Sequence, residues 1–540
     1  MPRPRRASSR SSSPTAAERR LAQAPSAERQ ANEPLEGGAR LLASLAVGLA
    51  TFMNVLDTSI ANVSIPAIAG DLGVSPNQGT WVITSFAVAN AISVPLTGWL
   101  TQRIGQVRLF LTTITLFVAA SFLCGLAISM PMLIFFRVVQ GAVAGPMIPL
   151  SQTLLLSTYP REKAGVALAT FSLTILVAPV VGPVLGGWIT DNFSWPWIFY
   201  INVPVGLVAL AMTWIIYRDR ETPTLKRPID GVGLALLVVW VGSLQLMLDQ
   251  GKDLDWFASP LIVALAVTTV LGFSLFLVWE LTDDHPVVEL HLFANRNFST
   301  GTLAIALSYG AYFGSIVLLP LWLQQFMGYS ATDAGMVLAP VGFLALILTP
   351  IVGRTSGRID PRYLATFSLL VFAVVAWMRS HFNTNADIWT LVVPTIIQGA
   401  AVACFFIPLV GLALGDLPQS QIAAASGLNN FLRISAGAFA TSIATTLWED
   451  RAALHHARLV EHLTPGDPAT TQALDLLGRM GMPEPQRYAF LDRLVTQQAF
   501  TLSALDLFYA SAIILVLLIP LLWLARPPRR AGGAAAAGAH

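Results

Sequence analysis

The chain has 540 residues, 54% of them hydrophobic and only 11% charged. Soluble globular proteins carry about 25% charged residues, so this composition excludes an ordinary soluble domain. With 32 basic and 30 acidic residues the net charge is +2, and bulk charge points to no nucleic-acid partner. A mean hydropathy of +0.64 over this length implies many membrane spans rather than one anchor. The two cysteines, Cys124 and Cys404, lie in apolar runs, where a free thiol acts as a small hydrophobe. No disulfide framework is expected.

Residues 1–40 are rich in Arg, Ser, Ala and Pro and lack apolar periodicity, which predicts a disordered basic arm. They do not read as a signal peptide: the apolar run begins too late and is too long. Fourteen apolar segments follow: 41–65, 80–100, 109–128, 132–156, 164–189, 197–217, 231–248, 260–279, 298–323, 334–352, 362–378, 389–414, 425–448 and 503–525. Each approaches the length of about 20 residues that crosses a hydrocarbon core of roughly 30 Å. The segment 449–502 is the one sizeable soluble stretch between them.

Basic residues in short loops set the orientation. With the N-terminus inside, the inner loops hold Arg103, Arg108, Arg161, Lys163, Arg218, Arg220, Lys226, Arg227, Arg296, Arg354, Arg358 and Arg362. The short outer loops hold only Lys252 and Arg379. Both termini are therefore expected in the cytoplasm, with 526–540 as a tail and 449–502 outside. A weak repeat links "GWLTQRIGQVRLF" after span two to "GRTSGRIDPRYL" after span ten. It suggests two six-helix halves, 41–217 and 298–525, around an extra pair at 231–279. Substrate would then bind near the midplane between the halves.

Three stretches carry chemistry. In "FMNVLDTSIANVSIP", Asp57 is the one charge in an otherwise apolar span. A charged side chain near a span's centre costs at least about 3 kcal/mol, so it needs a partner or a function. In "LIFFRVVQGAVAGPMIP", Arg137 is a second intramembrane charge, with Gln140 one turn on. A static ion pair and a proton-coupling pair are the two readings of Asp57 with Arg137. In "APVVGPVLGGW", Gly182, Pro183, Gly186 and Gly187 predict a smooth, kinked helix surface, serving either as plain packing or as a hinge or seal between halves.

These stretches resemble the major facilitator superfamily, specifically its fourteen-span drug:proton antiporter branch. "LDTSIANVSIP" is similar to that branch's span-one motif and "RVVQGAVAGP" to its span-four motif. "GPVLGG" is similar to the antiporter motif of span five, which is associated with exporters. The resemblance covers roughly 41–530 and extends to "VWELTDDHPVVELHLF" and "IQGAAVACFFIPL". It implies an all-α membrane protein with two six-helix halves plus two extra central spans. It implies proton-coupled export of hydrophobic or amphipathic drugs across a bacterial inner membrane, with the proton as coupling ion and no cofactor. Asp57 and Arg137 are the implied proton-coupling residues; Arg103 and Gly105 match the loop motif after span two. Gln102 departs from that motif, which carries an aspartate there. The resemblance further implies a tripartite system with a periplasmic membrane-fusion adaptor and an outer-membrane channel.

Several residues are candidates for a drug site: Phe52, Asn54, Gln140, Tyr309, Tyr312, Phe405, Phe406, Asn429 and Arg433. Apolar walls with a few polar groups suit bulky amphipathic compounds. In the outer segment, His455, His456 and His462 offer a weak case for metal, and amphipathic helices are the plainer expectation. No G-x-x-x-x-G-K-[ST], H-E-x-x-H or G-x-S-x-G pattern occurs, which argues against nucleotide-driven transport and against an enzyme. The alternative is a facilitator-type importer or uniporter of a small metabolite; the Gly/Pro-rich span five counts against it.

Overall fold

The computed structural model describes residues 34–74, 76–225, 230–283, 286–356, 358–464 and 466–526. Most of the expected basic arm, the tail beyond 526, and Lys226 and Arg227 lie outside the described residues. The described chain is all helix, with no strand. α1 spans Gly37–Asp71, so the first span begins inside what the sequence suggested was the arm. α2 has two pieces, Trp81–Ser93 and Thr97–Ile104, joined by a 3-10 turn that contains Pro95. α3 is Gln106–Gly125. α4 is Met130–Ala144 continued by Met147–Thr158, and its ladder is interrupted at Pro146, which has no N–H to donate. α5 is Ala164–Asn192 and α6 is Asn202–Tyr217. The extra pair follows as α7, Gly231–Gln250, and α8, Pro260–Thr282.

The second half repeats the pattern. α9 is Arg296–Gln325; α10 is Ala331–Leu338 with Val341–Thr355, again divided near a proline, Pro340. α11 is Pro361–Arg379; α12 is Ile388–Ala403 with Phe406–Leu414. α13 is Gln419–Glu461 and α14 is Glu484–Leu517. Twelve of these helices are long and apolar enough to cross a membrane. The other two of the fourteen expected spans lie in α5, an apolar helix of 29 residues, and in α13. The mean hydropathy of α13 is lowered by inward polar groups such as Asn429, Asn430 and Arg433, which are buried by protein rather than lipid.

Within the first half, α1 packs on α5 and α6, and α2 on α4. Within the second, α9 packs on α13, α10 on α12 and α11 on α14. α7 and α8 pack on each other, and α7 docks on α2 and α13. Trp240 of α7 sets this contact, with ring centroids 5.1 Å from Phe273 and 5.8 Å from Phe431.

Two expectations change. The outer stretch 449–502 is no separate segment between spans, because its helices continue α13 and α14. α13 runs past Trp448 to Glu461, the short helix Pro468–Arg479 follows, and α14 begins at Glu484. The two extensions lie against each other. Trp448 Nε1 donates to Phe500 O at 2.9 Å, Arg451 Nε to Asp506 at 2.7 Å, and His455 Nε2 meets the same carboxylate at 2.8 Å. Arg379 is not a loop charge either. It is the last residue of α11, only 2% exposed, and its guanidinium folds into the bundle onto Gln398.

Candidate functional site

The centre of the first half is a closed polar network in an apolar bundle. Asp57 and Arg137 are both 0% exposed. Arg137 Nη1 donates to Asp57 Oδ2 at 2.6 Å and to Gln140 Oε1 at 2.7 Å. Its Nε donates to Val82 O of α2 at 2.9 Å. Asp57 Oδ1 accepts from Gln140 Nε2 at 3.0 Å and from Asn202 Nδ2 at 2.8 Å. Asn202 also reaches Ser121 Oγ at 3.0 Å, and Ser121 donates to Phe199 O. Arg137 lies over the Phe86 ring at 4.3 Å. Five helices thus meet at this ion pair: α1, α2 through Val82, α3 through Ser121, α4 and α6. A buried ion pair of this kind persists only when further hydrogen bonds support it; here both carboxylate oxygens and Nε and Nη1 of Arg137 are bonded.

The sequence picked out Asp57, Arg137 and Gln140, and the fold brings them together. It gave no reason to choose Asn202 or Ser121. The one available signal was Asn202 as a lone amide in "WIFYINVPVGLV".

The glycines of α5 flank this site. A Cβ on Gly182 would collide with Ser59 of α1, and one on Gly186 would sit 2.8 Å from Ile60 Cγ1. These glycines therefore face α1 of their own half, two and three residues beyond Asp57, rather than the opposite half. Gly187 is partly exposed, and the side chain of Pro183 lies outside the described ones. The halves meet along α5, which packs on both pieces of α10, and the tightest of these glycine contacts lie at the end where the basic turns cluster. There a Cβ on Gly165 of α5 would strike Ser356 and Gly353 O of α10. A Cβ on Gly98 of α2 would sit 2.5 Å from Ala424 Cβ of α13.

The loop motif sits beside this seam. Gly105 has φ +96°, a conformation that favours glycine, and it lets the chain turn directly from α2 into α3. Glu221 closes the turn by accepting from Val107 N at 3.0 Å and Arg108 N at 2.8 Å. Arg103 stacks on Trp99 at 5.4 Å. Gln102 Nε2 donates to Glu289 Oε1 at 2.6 Å, tying the segment after α8 to the seam.

The second half gathers a different set. Tyr309 and Tyr312 of α9 have ring centroids 6.3 Å apart and remain partly accessible at mid-helix. Arg433 lies over Tyr309 at 4.9 Å and Phe406 at 5.6 Å. The other drug-site candidates are engaged in packing. Asn54 donates to Ala144 O at the break in α4, Asn429 to Thr302 Oγ1, and Phe405 is 1% exposed against Phe372. Phe52 is half-buried in a cluster with Leu56 and Ile60. Gln152 of α4 joins the halves, taking bonds from Ser426 and from Asn430 at 3.2 Å. Among the described residues no group of three or more His, Cys, Asp or Glu is placed to hold a metal.

The profile of the Major Facilitator Superfamily matches residues 47–441. The chain belongs to the Major Facilitator Superfamily. This transporter is 51% identical over 512 residues to the multidrug export protein EmrB of Escherichia coli (strain K12), covering 95% of this chain and all of that one. It is 51% identical to EmrB of Haemophilus influenzae, covering 92% and 97% of the two chains. It is 47% identical to the fatty acid resistance protein FarB of Neisseria gonorrhoeae, covering 93% and 99%. Among solved structures it is similar to the proton:xylose symporter XylE, with a TM-score of 0.55 and 14% identity over 90% of this chain and 95% of that one. That likeness speaks to the fold. As a facilitator-fold protein with many apolar helices, the chain is a multi-pass membrane protein.

Proposed function

We propose that the chain is a proton-coupled antiporter that exports hydrophobic and amphipathic drugs across a bacterial inner membrane. Similarity to EmrB and FarB over nearly the whole chain supports export. The observation that carries proton coupling is the fully buried Asp57, whose cationic partner Arg137 has other acceptors in reach. A carboxylate that binds a proton releases Arg137. The guanidinium then keeps Gln140 Oε1 and Val82 O, so it is not stranded in the bundle. Five helices register the change because each carries the carboxylate or touches one of its donors. The Gly182 and Gly186 contacts carry it from α1 to α5, and α5 reaches the seam at Gly165. Unequal affinity of proton and drug for the two seam states is what couples them.

The basic end is the cytoplasmic one in this reading, and the helical extensions of α13 and α14 project into the periplasm. Leu476, Met480 and Tyr488 are exposed there and offer apolar contact to a membrane-fusion adaptor and, through it, an outer-membrane channel. The test is transport by the purified chain in proteoliposomes under an imposed pH gradient, using a fluorescent amphipathic drug. Wild type accumulates drug against its gradient, and Asp57→Asn only equilibrates it. Equal pumping by both would make the pair structural.

A further inference from the structure

The second half is built around two buried cations and lacks any acid to balance them. Arg379 is 2% exposed and Arg433 is 6% exposed. The segments 296–325, 361–379, 388–414 and 419–448 contain no Asp or Glu at all. Of the remaining acids at the ends of that half, Asp506 serves Arg451 and His455, Asp333 caps its own helix, and Asp416 holds Asn297. A guanidinium stays protonated at any working pH, so both positive charges persist. An unbalanced charge in a low-dielectric bundle is costly and marks a site that awaits its complement.

The first half shows what the complement is. Both halves carry the same step, "VVQGAVA" at Val138–Ala144 and "IIQGAAVA" at Ile396–Ala403. In each, the glycine packs on a facing backbone carbonyl, Gly141 on Phe86 O and Gly399 on Val341 O. In each, the glutamine oxygen accepts from a buried arginine: Gln140 from Arg137 at 2.7 Å, Gln398 from Arg379 at 2.5 Å. In the first half both partners also bind the Asp57 carboxylate. In the second, Arg379 Nε and Gln398 Nε2 are buried with no hydrogen-bond partner. Two buried donors thus lack acceptors where their counterparts have them: Arg137 Nε has Val82 O and Gln140 Nε2 has Asp57. Tyr312, partly exposed, lies next to them.

We propose that Arg379 and Gln398, beside Tyr312, take the anionic headgroup of an amphipathic substrate, a carboxylate above all. Arg433, held between Tyr309 and Phe406, adds a second positive charge next to the aromatic wall that receives the apolar body. The planar fork of arginine suits a carboxylate. This assignment rests on the export reading above and narrows its substrate class.

The test is equilibrium binding to the purified full chain in zwitterionic-lipid nanodiscs, with decanoate and decanamide as matched probes. Decanoate is expected to bind at least ~10-fold tighter than decanamide, the scale of one charge-assisted contact. Arg379→Gln is expected to weaken decanoate by roughly 10- to 100-fold and leave decanamide unchanged, while Arg379→Lys restores part of the loss. Equal binding of the two probes, or decanoate binding untouched by Arg379→Gln, overturns the proposal. If Arg379→Gln loses both probes through misfolding, Gln398→Leu and Arg433→Gln decide by the same criterion. Repeating the series with an anionic lipid separates two sources of the anion. Competition with decanoate in wild type that Arg379→Gln abolishes supports the site, with a lipid headgroup as its occupant. Binding needs no proton gradient, so failure of coupled transport would sink the export reading and leave this result standing.

Discussion

Replacing Gly98 with alanine tests the seam between the halves. The added Cβ would lie 2.5 Å from Ala424 Cβ and 2.7 Å from Ala424 Cα. Ordinary carbon contacts begin near 3.5 Å, so α2 and α13 must separate by about 1 Å at this level. Both atoms belong to or adjoin backbone, and no flexible side chain can swing away. Overpacking of this kind costs about 1–3 kcal/mol. Only the state with the seam closed bears that cost. The closed population, relative to any state parted here, should fall by about 5- to 150-fold. Spin labels at Arg108 and Ser420, exposed on opposite halves, report the separation by pulsed distance measurement. The longer distance should gain population in Gly98→Ala. Gly242→Ala is the control, because its nearest contact is Ile92 Cδ1 at an ordinary 3.9 Å. Identical distance distributions for the two variants, both folded, would refute the reasoning.

Three further outcomes are expected. Gly186→Ala should press on Ile60, which sits beside Asp57, lowering stability by about 1–3 kcal/mol and impairing transport; an unchanged melting curve would sink this. Gln102→Asp would restore the acid of the family motif, yet place it against Glu289. Repulsion of about 1 kcal/mol should loosen the segment Val287–Leu292, read as faster hydrogen exchange there; unchanged exchange refutes it. Asp467 caps the short helix Pro468–Arg479, and bonds from Thr470 hold its carboxyl below the usual range. A depressed carboxyl stabilises the fold above its unfolded pKa and stops doing so as pH falls through the folded one. Acidification below about pH 4 should therefore speed proteolysis of 468–479 in wild type and not in Asp467→Ala.

The polar network of the first half was legible because charge in an apolar run is rare. Asp57 and Arg137 stand out for that reason, and Gln140 follows by helical spacing. Asn202 and Ser121 did not, because single amides and hydroxyls are scattered through every span and only the fold selects two of them. Arg379 read as a loop charge because it ends its span. Its burial depends on Gln398 in the next helix, a contact that no local pattern encodes. The Gly182 and Gly186 motif suggested a special surface, but whether it met its own half or the other is a matter of packing. The seam itself pairs Gly98 with Ala424 across more than three hundred positions, and both are unremarkable residues in small-residue stretches. The outer segment read as amphipathic pieces. Its continuity with the spans was hidden because the apolar run stops at Trp448 while the backbone ladder does not.

That continuity makes α13 a lever. At 1.5 Å per residue its 43 residues extend about 65 Å, roughly twice the thickness of a hydrocarbon core. One end carries Ala424 and Gly427, which abut α2 at the seam, and the shaft carries Arg433. The other end stands beyond the bilayer, braced to α14 by Trp448, Arg451 and His455. A tilt of about 10° at the level of Arg433 would sweep the tip, roughly 40 Å away, through about 7 Å. A protein resting on that tip would feel each turnover as a stroke, and one that clamped it would stall the transporter from outside the membrane.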